Sequence, residues 1–169
     1  MGFGGIGNHY CNQMHEYMAK EEGDILDGRD LMVYIGEGAS AVEASWEPQA
    51  LATTHTVTWA TETKERLTKD SPGGNPEKRI TKVGVTIKTE ALRAKGDTQR
   101  DKLLDAMNAK KNVLLKYGLR SGEETAGDVY YQGMFAIDQL EENTTAGDDA
   151  SYTATFSSSG LVEKKTKEA

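Results

Sequence analysis

Apolar and polar residues alternate with period two along most of this chain, a pattern that marks half-buried strands. It predicts strands over residues 30–36, 53–65, 80–90, 112–120, 129–140 and 150–158. In the third of these, Val83, Val85 and Ile87 alternate with Gly84, Thr86 and Lys88. In the last, Tyr152, Ala154 and Phe156 alternate with Ser151, Thr153 and Thr155. The 129–140 segment carries apolar groups on both faces: Val129, Tyr131, Phe135 and Ile137 against Tyr130, Met134, Ala136 and Leu140. Gly, Pro, Asn and Asp mark turns at residues 71–76, 121–122, 126–127 and 145–149.

One segment breaks the period. Residues 98–110 are rich in helix formers, with Thr98 placed to cap the N-terminus and Asp101 three residues on as its capping-box partner. Leu103, Leu104 and Met107 form a narrow apolar stripe, and Lys110 sits favourably at the negative C-terminal end. The expected architecture is therefore mainly β, an antiparallel sandwich or barrel-like body with one flanking α-helix. Residues 1–29 are Gly-rich, polar and without a sustained period, and read as a flexible or assembly-ordered arm; Met18 would itself serve as a start. Residues 30–162 form the body, and residues 163–169 read as a frayed tail.

Composition narrows the function. A chain of 169 residues is one domain's worth, and its net charge of −7 argues against gripping phosphates or anionic membranes. No apolar run approaches the ~20 residues needed to span a bilayer. A single Cys excludes an intrachain disulfide and points to a reducing compartment. The 12 Leu, 6 Ile, 8 Val and 3 Phe make only 29 of 169 residues, beside 17 Thr and 18 Gly. The core is thin, and such a subunit is expected to depend on partners.

Candidate chemistry is sparse. Gly2, Gly4 and Gly7 satisfy a G-x-G-x-x-G pattern but follow no strand, which the phosphate-binding motif requires. His9, Cys11 and His15 supply three ligand types at spacings that match no common zinc site. His55 falls within a strand with no nucleophile motif nearby, and the Glu123-Glu124, Glu141-Glu142 and Asp148-Asp149 pairs fall in turns, whose solvated tips rarely offer the environment that paired carboxylates need for acid–base work. Asp24, Asp27 and Asp30 depart from calcium-loop spacing, and Asn143-Thr144-Thr145 is a glycosylation sequon in form only. The reading is a non-enzyme with no catalytic residues, no cofactor and no metal.

The least ordinary feature is residues 61–82, polar and charged between two long strands, with a long hairpin loop expected at about residues 65–78. Connections this long in a small β domain are uncommon and tend to be functional. Lys64, Glu65, Arg66, Glu77, Lys78 and Arg79 suit either a solvated tip or registration against another subunit.

Taken in order, Leu31-Met-Val-Tyr-Ile-Gly36, the Ala50–Thr58 strand, the Lys69-Asp70-Ser71 loop, the helix, Gly127-Asp-Val-Tyr-Tyr-Gln-Gly133 and Ser151-Tyr-Thr-Ala-Thr-Phe156 resemble the major tail tube proteins of long-tailed, siphovirus-like bacteriophages. The resemblance spans roughly residues 30–162. It implies a virion structural protein whose hexameric rings stack into a tube, the conduit for genome ejection. Its implied partners are further copies of itself, the tape measure protein, the tail completion and distal tail proteins, and viral DNA passing through without specific binding. It implies a place in the virion tail after assembly in the host bacterial cytoplasm. The hairpin loop, here Leu67, Lys69, Asp70, Ser71, Gly73, Gly74, Asn75 and Pro76, is implied to reach a neighbouring subunit or ring. Two alternatives stand beside this: the inner tube of a contractile or type VI secretion-like injection machine, and a small ligand-binding β-barrel. Large apolar residues are too few to line a ligand cavity well, which disfavours the last.

Overall fold

The computed structural model describes residues 25–37, 45–70, 72–120, 122 and 124–168. Eight strands and one helix follow as β1 (Leu31–Glu37), β2 (Ser45–Pro48), β3 (Ala52–Arg66), β4 (Glu77–Leu92), α1 (Gln99–Asn108), β5 (Val113–Leu119), β6 (Val129–Asn143), β7 (Ser151–Ser158) and β8 (Glu163–Thr166). All pairings are antiparallel, in the order β2-β1-β5-β6-β7-β4-β3, and β8 also pairs with β6. The sheet curls into a half-barrel, as the mainly β, barrel-like expectation requires. The predicted strands are all present; β4 and β7 alternate a core-facing apolar set with a polar set, while β1, β5 and β6 carry apolar residues on both faces.

The concave face holds the core. Val33 of β1, Leu115 of β5, Phe135 of β6, Ala154 and Phe156 of β7, and Val85 and Ile87 of β4 meet Leu103 of α1. Thr89, Ala91 and Tyr152 are also fully buried. Small and polar residues thus fill positions where a richer chain would place Leu or Phe, the thin core expected from composition.

Strand β6 serves both faces through a register shift between Ile137 and Gln139. Before it, Phe135 and Ile137 face the core; after it, Leu140 does, opposite Ala154. A bulge of this kind reverses which side alternate residues occupy, and it puts Leu140 on the core face with Phe135 and Ile137, whereas Met134, before the shift, stays on the other face and is 37% exposed.

Three expectations are corrected. Residues 163–166 are not a frayed tail: after β7 the chain steps over Gly133 and resumes as β8 along the same edge of β6, Gln132 opposite Glu163. A Cβ at Gly133 would lie 3.3 Å from the Leu161 carbonyl oxygen and from Val162 Cα, so glycine allows the crossing. Polar, charged Glu163-Lys164-Lys165-Thr166 gives no hydrophobic signal; backbone pairing with β6 places it, beside Val162 packed against the core. Second, Thr98 makes no side-chain cap, because its own backbone is already helical (φ −91°, ψ −14°). Asp97 Oδ1 instead accepts from Gln99 N at 3.0 Å. Third, the strands run past the predicted loop boundaries, to Arg66 and from Glu77, so the connection is residues 67–76. Cross-strand pairs, Glu65 with Lys78 at 3.3 Å and Glu62 with Lys82 at 3.7 Å, extend the ladder where hydrophobicity stops.

Strand β2 had no sequence signature. It is held by Trp46, whose ring lies over Gly36 of β1. A Cβ there would stand 2.8 Å from a Trp46 ring carbon and 3.0 Å from Leu114 Cβ. Gly36→Ala is therefore expected to displace the indole at a cost of about 1–3 kcal/mol, as other overpacked sites do, with red-shifted tryptophan emission. An unchanged melting temperature and spectrum would show that the ring has room to spare.

Candidate assembly surface

Strands β6, β7, β4 and β3 form a four-stranded sub-sheet whose convex face is largely polar. Registered residues run across it in rows: Thr58, Thr86, Ser157 and Ala136; then Thr56, Lys88, Thr155 and Gln139; then Thr54, Glu90, Thr153 and Glu141. At the β6 register shift, Ser157 Oγ donates to Asp138, 2.7 Å from Oδ1 and 2.6 Å from Oδ2. The alternation of β7 and β4 places these residues together, since every second side chain must leave the core. Alternation in the sequence marks Thr86, Lys88, Thr153 and Thr155 as the polar sets of two of these strands, but the rows need the register.

Both edges of this sub-sheet lack a strand partner among the described residues. β3 pairs only with β4, leaving its outer edge open over Ala52–Arg66. β5 pairs with β6 only at Tyr131 to Phe135, so the corresponding edge of β6 is open from Ala136 to Asn143. Open edges of this length invite pairing with another chain.

The β3–β4 hairpin projects beyond the core. The apolar set of β4 begins buried at Ile87 and Val85 and continues in register to Val83 and Ile80, which are 60% and 59% exposed. Trp59 packs edge-on against Tyr131 at 4.9 Å with its outer part in solvent. At the tip, Leu67, Lys69, Asp70, Gly73, Gly74, Asn75 and Pro76 are all exposed and lie together; Ser71 lies outside the described residues. Gly73 and Gly74 take φ values of 65° and 69°, which glycine adopts without strain. The other face of the arm carries Glu62 and Lys82.

On α1, Leu103 is buried at 1% exposure, while Leu104 and Met107 are half-buried. The helix closes on Lys110 at φ 57°, with Lys111 N donating to Ala106 O at 2.9 Å.

The remaining candidates form no site. Gly2, Gly4, Gly7, His9, Cys11, His15, Asp24 and Glu123 lie outside the described residues. Asp27 accepts from the Arg29 backbone and guanidinium, which hold its carboxyl down to about 2. Glu124 meets Lys167 at 2.8 Å and Lys116 at 3.8 Å, and Glu142 pairs with Arg93 and Arg100. Asn143 accepts from Thr145 in a local turn. Among the described residues no three His, Cys, Asp or Glu side chains are grouped to hold a metal. No described helix is long and apolar enough to cross a membrane.

Comparison with known proteins agrees with this geometry. The family model described as phage tail tube protein matches residues 25–164. No curated protein matches. The fold is similar to the tail of an empty gene transfer agent particle refined with C6 symmetry (TM-score 0.68, 16% identity, 83% of this chain and 99% of that one). It is also similar to the SPP1 tail tube (TM-score 0.68, 12% identity, 86% and 81%). A third similar chain comes from the sheath/tube terminator structure of an extracellular contractile injection system (TM-score 0.60, 14% identity, 83% and 96%). With the family model covering most of its length and the tail tube fold complete, this chain belongs to the phage tail tube protein family.

Proposed function

We propose that six copies of this chain form a ring in which the polar face of β6-β7-β4-β3 lines a central channel, and that rings stack into the tail tube. The observation that carries this reading is the pair of open edges on one sub-sheet. Placing β3 of one copy beside β6 of the next pairs both edges at once, and repetition around an axis closes a barrel with no edge left. Such a contact joins unlike surfaces, which gives a ring when the rotation closes. C6 symmetry in the similar gene transfer agent tail supports six as the closing number.

The lining suits passage rather than retention. Thr, Ser and Gln hydroxyls and amides keep the wall wet, and Lys88 has Glu90 two residues along its own strand and Glu141 in the next row. A chain of net charge −7 offers DNA little counterion release, so the polymer gains nothing by stopping. The tape measure protein fills the channel before DNA does, and tail completion and distal tail proteins close the two ends. The role is structural, without catalysis or cofactor, with assembly in the host bacterial cytoplasm.

The hairpin tip, Leu67, Lys69, Asp70, Ser71, Gly73, Gly74, Asn75 and Pro76, reaches the neighbouring subunit or ring. That contact covers Ile80 and Val83, the stretch of apolar register left uncovered in one copy. The same ring would serve a contractile injection machine, whose components share this fold; the family match favours the phage tail. Concentrated protein viewed by negative-stain and cryo-electron microscopy should show six-fold annuli and stacked tubes with β3 beside a neighbour's β6. Monomers at every concentration would overturn the reading.

A further inference from the structure

His55 is on the core side of β3, directly opposite Thr89 of β4. Both of its ring nitrogens are buried without a hydrogen-bond partner, and so is the Thr89 hydroxyl across from it. Thr89 is wholly inaccessible, and the next residue along that row is Ala154 of β7, also wholly inaccessible. A neutral imidazole tolerates such a place at modest cost. An imidazolium does not, because two N–H donors and a full charge would be stripped of water with nothing to receive them.

The ionisable groups on the core side of the neighbouring elements do not relieve this. Tyr152 of β7 accepts from Gln49 at 3.4 Å, and Glu142 of β6 is taken by Arg93 and Arg100. Asp97, before α1, accepts from the Gln99 backbone through Oδ1 while its Oδ2 is buried without a partner, and Arg100 is shared between Glu142 and Asp101. None of them offsets the effect of burial, which alone pushes the His55 imidazole below its ordinary value.

We propose that His55 makes the β3–β4 edge acid-labile: protonation of the imidazole drives the ring toward water and loosens β3 from β4. The site is placed to act locally because β3 is an outermost strand, held along one side only, so it can open without breaking any pairing beyond β4. The device belongs to the unassembled subunit, where the outer edge of β3 is open; a neighbour's strand on that edge would hold β3 on both sides.

With the native imidazole depressed, the open state binds the extra proton. Stability is thus fully present above the ordinary histidine value of about 6.5 and falls as pH drops below it. Amide hydrogen exchange on the full chain tests this. After correction for intrinsic rates, protection of Thr54, Thr56 and Thr58, whose N–H groups face β4, should fall by up to about 30-fold between pH 7.5 and 5.0, the ratio by which an ordinary imidazole is protonated at the lower pH. In His55→Gln the fall should vanish. A direct NMR titration of the wild-type ring serves if that variant does not fold, and should place His55 below 6.5. An unaltered fall in His55→Gln, equal wild-type protection at both pH values, or a ring titrating at or above 6.5 overturns the proposal.

Discussion

Replacing Leu67–Pro76 by the dipeptide Asn-Gly is expected to leave the subunit folded and to abolish tube growth. Arg66 and Glu77 are directly opposite in the β3–β4 register, so a two-residue turn closes the hairpin with the primed geometry that Asn-Gly favours. The described loop residues are exposed and none belongs to the core cluster. Shortening the loop also lowers its closure entropy slightly, since that cost grows only as the logarithm of length. The melting temperature should therefore stay within about 2 °C of the parent, a shift worth well under 1 kcal/mol. Assembly should fail at the step that links copies, leaving monomers or isolated rings in electron micrographs. Tubes of normal length from this variant would remove the loop from the assembly contact and leave the open strand edges to carry it alone.

What could be read from the chain divides by mechanism. Strands whose apolar residues alternate strictly, such as Val83-Val85-Ile87 and Tyr152-Ala154-Phe156, are legible because burial on one face imposes period two. Strands β2 and β8 are not. Ser45–Pro48 owes its place to one indole over Gly36, and Glu163–Thr166 to backbone pairing with β6 after a four-residue step across Gly133. Neither cause leaves a pattern within the segment itself. The helix was legible from composition and its apolar stripe, but its cap was not: Asp97 and Thr98 are both good N-cap residues, and only the backbone angles decide between them. The assembly surface was half legible. Its Thr and Ser residues on β4 and β7 stand out in the sequence, yet the rows they form depend on pairings as distant as Thr86 with Ser157. Its open edges are properties of the sheet order alone. His55 is the opposite case: its strand position was legible in the sequence, and its orphaned nitrogens, which depend on packing, were not.

Truncating the helix stripe one residue at a time should separate a core anchor from a half-buried flank. Leu103 touches the cluster built by Val33, Leu115, Phe135 and Phe156, and at 1% exposure it has no solvent into which the site can relax. Leu103→Ala is expected to cost about 2–5 kcal/mol, the range for buried leucines that leave a cavity. For a domain of this size that lowers the melting temperature by about 10 °C. Leu103→Asp adds an unpaired buried charge to the lost packing and should leave no folded subunit, because the total stability of such domains is only ~5–15 kcal/mol. Leu104 and Met107 already meet water, so their alanine variants should each lose less than Leu103→Ala, and aspartate there should be tolerated better than at Leu103. Circular-dichroism melts of the set decide the point. If Leu104→Ala or Met107→Ala proves as costly as Leu103→Ala, α1 is rotated about its axis from the position described, and the thin core has a different roof.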